Sequence, residues 1–396
     1  MSLAADRYAR VRRRIPRRAL GVAKALYWQG LSSSGKRALI ASRFRAQADW
    51  CERLGSPLYA HLLRCAAQDV EGRGPTWAAI NRRQLAPVGA DEAIPLSFMA
   101  GVHRLVLEGR APELARHYPS AGGAATHDPW PSFVEVVSEH IGDLRDAMER
   151  PVQTNEPARS AALLGGFLLA GRRTAGRLRL LELGASAGLN LRWDLYRYEA
   201  GDAAWGDPES PVRLDDCYVG GTPPLHLPAR VLERAGCDLN PLDPASDSDR
   251  LTLRSLVWPD QENRRAMLEA ALDVAQTTPA CVDREDAAEW LAAQLERQAT
   301  GVTTVVFHSF FEQYPDEATR QRLRKTLRSA GARATQDAPV AYMRMEWGRN
   351  GADIELTTWP GYRRALIASA DNQGRNVRWL GEPALGAWVA NPNWPG

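Results

Sequence analysis

The stretch Arg177 to Leu191, RLRLLELGASAGLNL, constrains the fold of this chain more than any other part of it. Its leucines at 178, 180, 181 and 183 predict a buried strand. Gly184 breaks that strand, and we expect a helix to begin after Gly188, with the carboxylate of Glu182 just before the break. At such a corner, backbone N–H groups approach a ligand closely, and the helix N-terminus supplies partial positive charge.

After this corner the pattern alternates between helices and apolar strands. Alternation of this kind is typical of a doubly wound α/β sheet, here of Rossmann-like form, closing in antiparallel strands. Strands are predicted at 237–241, 280–283, 302–307, 340–347, 353–358 and 364–369, and helices at 156–172, 259–275, 286–297 and 315–331.

A length of 396 residues suggests about two domains. Residues 1–150 show helical periodicity with almost no strand signal, so we expect an all-helical N-terminal region or cap there, followed by the α/β domain at 151–396. The segment 192–235 interrupts the alternation and is rich in Trp, Tyr, Pro and Gly. An insertion of that length predicts either a cover over a pocket or a surface hairpin.

Composition excludes several classes of partner. The net charge of +3 gives no electrostatic case for nucleic acid, and the basic run Arg10 to Arg18 is interpreted as a solvated helix face or a frayed terminus. No apolar run approaches the ~18 residues of a membrane span, and the N-terminus has no secretory pattern. The five cysteines show no metal-ligand spacing, which predicts free thiols and no metal. We therefore expect a cytoplasmic protein that binds a small molecule, in an oligomeric state that the sequence does not indicate.

The corner itself resembles motif I of the class I S-adenosylmethionine-dependent methyltransferases. In that family an acid ends the first strand, and a glycine loop wraps the methionine end of the cofactor. The chemistry suits this ligand, because glycine permits close approach of the backbone and a carboxylate complements an ammonium or sulfonium charge. The resemblance implies cofactor contacts from Glu182, Gly184, Ala185, Ser186 and Gly188.

The same resemblance implies further site residues between about residues 155 and 370. An acid at the end of the second strand would bridge the ribose hydroxyls, with Asp238 the candidate and Asp243 the alternative. Asp286, after the third strand, would hold adenine. The catalytic loop would follow the fourth strand, where His308 is a candidate general base or a core histidine, and Tyr314 is a second catalytic candidate.

The polar segment before the 156–172 helix has two interpretations. Thr154 or Asn155 would cap that helix, as short polar residues commonly do. In the methyltransferase interpretation, Asn155, Glu156 and Arg159 would instead orient the carboxylate of the cofactor or the substrate. The chain departs from the family pattern at Ser186, which replaces the middle glycine. It also lacks an Asn/Asp-Pro-Pro-Tyr sequence after the fourth strand, which disfavours the amino-methylating subclass of DNA and protein enzymes.

Two other interpretations of the corner stay open. The sequence Gly184-Ala185-Ser186-Ala187-Gly188 matches GxSxG, the nucleophile elbow of α/β-hydrolases, with His308 downstream as a possible base. The helical character of the preceding region opposes this interpretation, since a hydrolase has several strands before its elbow. The corner would otherwise be a plain structural turn without a ligand.

The chain also resembles an uncharacterised bacterial family known only as a domain of unknown function. Its signatures are present as QTNE at 153–156, ELGASAGLNL at 182–191, WGDP at 205–208 and VWPD at 257–260. This resemblance implies a methyltransferase-like core behind a helical region, without a known substrate. We therefore expect an S-adenosylmethionine-dependent methyltransferase of a small-molecule acceptor, or alternatively a catalytically silent module that binds the cofactor.

Overall fold

The computed structural model describes residues 31–81, 93–124, 127–297, 299–348 and 351–381. The basic run Arg10 to Arg18 lies outside these residues. The chain divides into two compact units. The helical unit comprises Met1–Thr154 with Leu251–Arg265, and the sheet unit comprises Asn155–Arg250 with Ala266–Gly396.

In the helical unit, every regular element described before Thr154 is helical. Apolar residues at helical spacing, such as Leu58 with Leu62 and Met99 with Val102, are buried in one core, which confirms the predicted helical periodicity. The α-helices are α1 (Ser33–Arg53), α2 (Pro57–Gly72), α3 (Pro75–Ile80), α4 (Ile94–Leu107), α5 (Pro112–Ala115), α6 (Trp130–Glu139) and α7 (Ile141–Ala147).

A carboxylate from the 251–265 segment closes the start of α2. Asp260 accepts hydrogen bonds from the hydroxyl of Ser56 (2.5 Å) and from the backbone N–H of Leu58 (3.0 Å). Ser56 is the N-cap position of α2, and its own side chain makes no capping bond within the helix. Asp260 therefore satisfies a helix-terminal donor from a distant part of the sequence.

The sheet unit begins with a buried helix, and strands follow it. Its elements in chain order are α8 (Arg159–Gly171), β1 (Arg177–Leu183), β2 (Arg197–Ala200), β3 (Ala203–Trp205), β4 (Arg213–Leu214), β5 (Tyr218–Gly220), β6 (Arg230–Asp238), α9 (Asp247–Leu256), α10 (Glu262–Thr277), β7 (Cys281–Arg284), α11 (Ala287–Glu296), β8 (Thr303–Ser309), α12 (Glu317–Arg333), β9 (Val340–Trp347), β10 (Ala352–Trp359), β11 (Arg363–Ala370) and β12 (Val377–Trp379). Helices α9 and α10 each continue across a boundary between the two units.

The central sheet has nine strands in the order β5-β12-β11-β10-β9-β8-β1-β6-β7. The neighbours from β7 to β9 are all parallel, β9 to β12 are joined by antiparallel pairs, and β5 adds in parallel to β12. This confirms a mixed α/β fold with a large, mostly parallel central sheet. Leu181, Val306 and Leu323 share a buried core that brings strands β1 and β8 together with helix α12.

The strand order reverses between β1 and β8. From β1 the chain adds β6 and then β7 on one side, whereas β8 and β9 lie on the other side. Glu182 near the end of β1 pairs in register with Phe307 of β8. Ligands of open α/β sheets bind in the crevice at the carboxyl ends of the strands, at such a switch point.

Most predicted elements are present, and β9 matches its predicted range of 340–347. Others differ. The strand predicted at 237–241 begins earlier, at Arg230, where the charged residues Arg230, Glu233 and Arg234 conceal the strand. Helix α9 was not predicted, because its sequence DSDRLTLRSL carries few apolar residues, and the helix predicted from 259 begins at Glu262 instead.

The helix predicted after Gly188 is wrong. The chain forms only a short 3-10 segment, Asn190–Leu195, with non-helical backbone angles at Arg192. The Arg192 guanidinium donates to the carbonyls of Ala187 (3.2 Å) and Gly188 (2.7 Å), which would otherwise accept the first helical hydrogen bonds. The corner therefore has no helix dipole to offer a ligand.

The segment 192–235 contains a hairpin, but its aromatic residues are part of the core. Strands β3, β2 and β4 form a small sheet of their own. Trp193 is stacked between Phe167 (ring centroids 4.5 Å apart) and Trp205 (5.1 Å). Tyr198 is fully buried beside them. The rings explain why a segment so rich in Trp and Tyr is ordered without long helices or strands.

Candidate functional site at the carboxyl ends of the strands

The turn after β1 has three residues in the left-handed region. Gly184 has φ +67°, Ser186 +53° and Gly188 +65°. The Ala185 N–H donates to the carbonyl of Cys237 (3.0 Å), which ties the turn to the end of β6. A non-glycine residue pays a conformational penalty of about 1–2 kcal/mol in this region, so Ser186 is held in a strained conformation.

Packing also requires glycine at position 184. A Cβ placed there would lie 2.8 Å from Cδ2 of Phe311, in the loop that follows β8. The Phe311 ring therefore covers this face of the turn. Gly184 has a structural reason to be glycine, whether or not a ligand approaches the backbone.

Asp238, and not Asp243, lies at the turn. One oxygen of the Asp238 carboxylate accepts the Ser186 N–H (3.0 Å), and the other accepts the Asn240 N–H (2.8 Å). Asp243 is exposed and accepts from Ala245 in a local turn before α9. Of the two candidate ribose ligands, the structure brings Asp238 to the corner, because β6 lies directly beside β1.

Glu182 is the most unusual group of the site. Its side chain is 2% exposed, and Oε2 has no hydrogen-bond partner among the described residues. Burial raises the pKa of this carboxyl well above its usual range, against the opposing positive charges of Arg159 and Arg192, and Asp238 raises it further. A buried carboxyl without a partner is destabilising, so its presence calls for an explanation.

The polar segment before α8 reaches the same corner. The Asn155 side chain accepts the Leu189 N–H (2.9 Å) and so secures the far side of the turn. Arg159 donates to the carbonyl of Asn372 (3.2 Å) and to the hydroxyl of Ser309 (3.3 Å) at the end of β8. Glu156, the third residue predicted here, is buried as well.

The alternative of a capping residue is wrong. The N-cap position of α8 is Ala158, which has no side-chain capping bond. Asn155 instead bonds to the turn after β1. The polar character of this segment is therefore explained by the corner and not by the helix end.

His308 lies inside the sheet unit and not in an open crevice. The ring is 1% exposed, with Nε2 2.7 Å from the Tyr342 hydroxyl and Nδ1 2.9 Å from a carboxylate oxygen of Glu346. Both nitrogens are thus in contact with protein groups, which favours a structural role over that of a general base.

Glu346 positions the loop that follows β8. The oxygen that contacts His308 also accepts the N–H groups of Phe311 (2.8 Å) and Glu312 (3.0 Å). Burial acts to raise the pKa of Glu346, but the His308 contact and these two N–H groups bring it below its usual range. The carboxylate is therefore held ionised and fixes the start of the loop.

Tyr314 lies at the end of this loop and is 62% exposed. Its pKa is raised, first by desolvation of the hydroxyl and then by the charges of Asp238 and Glu346, whereas Arg159 acts in the opposite direction. Tyr314 lies between the end of β8 and the start of α12, at the edge of the sheet where β1 and β8 also end.

Asp286 has a structural role at the start of α11. Its carboxylate accepts the N–H groups of Ala288 (3.0 Å) and Glu289 (3.3 Å), and it forms an ion pair with Arg322 (3.0 Å). Asp283 accepts the indole N–H of Trp290 (2.7 Å). An acid directly before a helical run is a common N-cap, and that signal was available in the sequence.

Three residues of the corner were not singled out from the sequence: Arg192, Ser309 and Glu346. The signal for Glu346 is a lone acid in the mostly apolar strand β9. Arg192 and Ser309 carry no local signal, because their roles depend on contacts with backbone or side chains distant along the chain.

The described residues contain neither a candidate metal site nor a helix able to span a membrane. Among the residues that the structure describes, no three His, Cys, Asp or Glu side chains gather as a group able to hold a metal ion. In the same part of the chain, none of the helices combines the length and the apolar character needed to cross a bilayer.

The fold and the corner together define a mixed α/β protein with a cluster of polar side chains at a topological switch point. The chain belongs to a bacterial family described as an uncharacterized protein conserved in bacteria (DUF2332), whose family model matches residues 41–379. No curated protein and no solved structure matched the chain.

Proposed function

We propose that this protein is an S-adenosylmethionine-dependent methyltransferase of a small-molecule acceptor. The observation that carries the proposal is the buried Glu182 carboxyl at the switch point, where Oε2 has no protein partner among the described residues. A cationic ligand group would satisfy this oxygen and would shift the carboxyl towards its ionised form. The cofactor of this class offers both an ammonium and a sulfonium.

The neighbouring groups fit the same ligand. Asp238 lies at the end of the adjacent strand and already holds the turn through Ser186. Each carboxylate oxygen has two lone pairs, so Asp238 can accept a ribose hydroxyl in addition to its backbone bonds. Arg159, the first residue of α8, donates to Ser309 at the end of β8, and its positive charge complements a ligand carboxylate.

The residues of the chain would act chiefly by positioning. When bound, the cofactor supplies a methyl group on a sulfonium, and the protein holds the acceptor in line with it. Glu182 binds the cationic end, Asp238 binds the ribose, and the Glu346 carboxylate keeps the loop after β8 in place. Tyr314 is the exposed polar group of that loop and contacts the acceptor. His308 is not assigned a proton-transfer step, because both of its nitrogens are engaged.

Isothermal titration with S-adenosylmethionine tests the proposal. We expect the wild-type protein to bind, and Glu182→Gln to lose at least about tenfold in affinity, since it removes a buried charge partner. Glu199→Gln is the matched control, because Glu199 lies in the small sheet and is paired with Arg197 and Arg213. Absence of binding by the wild-type protein contradicts the proposal.

Two further measurements separate the alternatives. Formation of S-adenosylhomocysteine from cofactor and a bacterial small-molecule fraction distinguishes an enzyme from a silent binding module. A fluorophosphonate probe tests the hydrolase. The left-handed Ser186 suits a nucleophile elbow, but the ring of His308 is held by Tyr342 and Glu346. We expect no labelling at Ser186.

A further inference from the structure

Exposed apolar side chains mark the edge of the sheet that carries Glu182. Leu239 follows the end of β6, Tyr314 follows β8, and Trp347 is the last residue of β9. Their exposed fractions are 66%, 62% and 53%. Exposed apolar side chains that form a contiguous patch are typical of a binding surface.

Strand geometry brings the ends of these strands to one edge of the sheet. Strands β6, β1, β8 and β9 are consecutive and parallel, so their carboxyl ends meet there. With neighbouring strands about 4.8 Å apart, the edge from β6 to β9 is about 14 Å long. That length suits a small molecule of one or two fused rings, and the buried Glu182 lies near the end of β1 at the same edge.

At the β9 end of this edge, Arg159, Phe310 and Trp347 form an aromatic cluster. The Arg159 guanidinium lies over the Phe310 ring (4.8 Å), and the Phe310 and Trp347 ring centroids are 4.7 Å apart, with the ring planes inclined at 56°. Phe310 has φ +52°, a strained conformation for a bulky residue. The strained backbone thus holds Phe310 between its two neighbours, and Trp347 is the exposed member of the cluster.

Charged side chains of β9 and its neighbours are paired with each other. Arg344 of β9 lies 3.0 Å from Glu312 and 3.3 Å from Glu355. Arg364 forms a further ion pair with Glu355. These ion pairs occupy the guanidinium of Arg344, and the exposed Trp347 ring is accessible to an aromatic ligand.

We propose that Trp347 and Tyr314 form the platform that selects the acceptor, and that the acceptor is a planar aromatic or heteroaromatic molecule with a hydroxyl or amino group. This inference rests on the proposed methyltransferase function. The Trp347 face would stack on the ring of the acceptor. Tyr314 would contact it from the loop after β8, on the side of Asp238 and Arg159.

Two probes that carry the same functional group separate the contribution of ring stacking from that of the hydroxyl. 2-Naphthol and decahydro-2-naphthol carry the same hydroxyl on two fused rings, but only the first is planar and aromatic. We expect the wild-type protein to bind 2-naphthol about fivefold more tightly by titration followed by ligand-observed NMR. Trp347→Leu and Tyr314→Leu should each reduce this preference, and Trp347→Phe should retain most of it.

Leu232→Ala is the control, because Leu232 is 48% exposed but lies near the opposite end of β6. It should leave the preference unchanged. Equal binding of the two probes, or a preference that survives both leucine variants, overturns the inference. Titration of S-adenosylmethionine in the same variants keeps the two proposals apart. A lost ring preference with intact cofactor affinity refutes only the platform, and an intact preference without cofactor binding refutes only the methyltransferase.

Discussion

Two acids, one in each unit, show what distinguishes a structural carboxylate from a candidate functional one. Asp260 in the helical unit uses both oxygens, which accept from Ser56 and Leu58 at the start of α2. Glu182 in the sheet unit is more deeply buried, and its Oε2 accepts from no described group. The first arrangement stabilises the fold, whereas the second weakens it and is understandable if a ligand completes the site.

The most severe test of this contrast is Gly184→Val. We expect the sheet unit to lose about 3–5 kcal/mol, because a left-handed β-branched residue is strained and its side chain would overlap Phe311. Cofactor binding should be lost, while the helical unit stays folded. Hydrogen-exchange mass spectrometry measures the two units separately, through peptides from 33–72 and from 177–188.

Gly55→Val is the matched control for this change. Gly55 follows α1 with φ +80°, and a Cβ there would meet nothing within 4 Å. It isolates the backbone strain, and we expect a loss of about 1–2 kcal/mol confined to the helical unit. Equal losses for both variants would mean that the Phe311 contact contributes nothing. Retained cofactor affinity in Gly184→Val would contradict the assignment of the corner.

The second test removes the satisfied acid. Asp260→Ala should destabilise the helical unit by about 2 kcal/mol, because two donors at the start of α2 lose their acceptor. Ser56→Ala removes one of these bonds and should cost about half as much. Urea denaturation followed by circular dichroism measures both. An unchanged urea midpoint for Asp260→Ala would show that this carboxylate does not stabilise the helical unit, and the contrast with Glu182 would then fail.

Sequence patterns predicted the parallel core well, because buried strands such as β8 and β9 are rich in β-branched and apolar residues. The sequence patterns failed where contacts between distant residues determine the backbone conformation. The helix after Gly188 is replaced by a 3-10 segment because Arg192 binds the carbonyls of the turn, and no local pattern shows that contact. The strand predicted for β6 is too short because the first half of β6 is partly exposed and carries charged residues.

The third test replaces Glu182, the acid with an unsatisfied oxygen. The expected change in the free energy of unfolding has the opposite sign to that for Asp260→Ala. Glu182→Gln should raise the free energy of unfolding by about 1–2 kcal/mol near pH 8, while cofactor affinity falls. The folded-state pKa of Glu182 is raised by burial. The wild-type protein therefore loses stability as pH rises above the ordinary range of a Glu carboxyl, where the unfolded chain ionises first.

The pH profile provides the control within the same pair of proteins. Below about pH 4 the carboxyl is protonated in both states, so the wild-type and Glu182→Gln proteins should differ least there. The difference should then grow towards alkaline pH. Thermal unfolding at intervals of one pH unit measures it. A variant less stable than wild type at every pH would show that Glu182 is a structural group.

The candidate site was predicted less evenly than the fold. Glu182 and Asp238 are predicted site residues because an acid stands next to a strand end or a glycine turn, and Arg159 because a polar segment precedes an apolar helix. Their contacts with a ligand stay predictions. His308 shows the same local signal, but its neighbours Tyr342 and Glu346 come from β9, and only the sheet register brings them to its ring. Sequence reasoning places a residue at a strand end, but not its bonding partners.

The smallest effect is expected at Asp286, which tests whether the comparison extends to the third acid of the sheet edge. Because its carboxylate caps α11, Asp286→Ala should cost about 1 kcal/mol of stability and leave cofactor affinity within about twofold of wild type. Asp316→Ala is the matched variant, since Asp316 caps α12 through Thr319 in the same way. If Asp286→Ala weakens S-adenosylmethionine binding tenfold while Asp316→Ala does not, Asp286 contacts the ligand as well as the helix, and a satisfied carboxylate no longer implies a purely structural one.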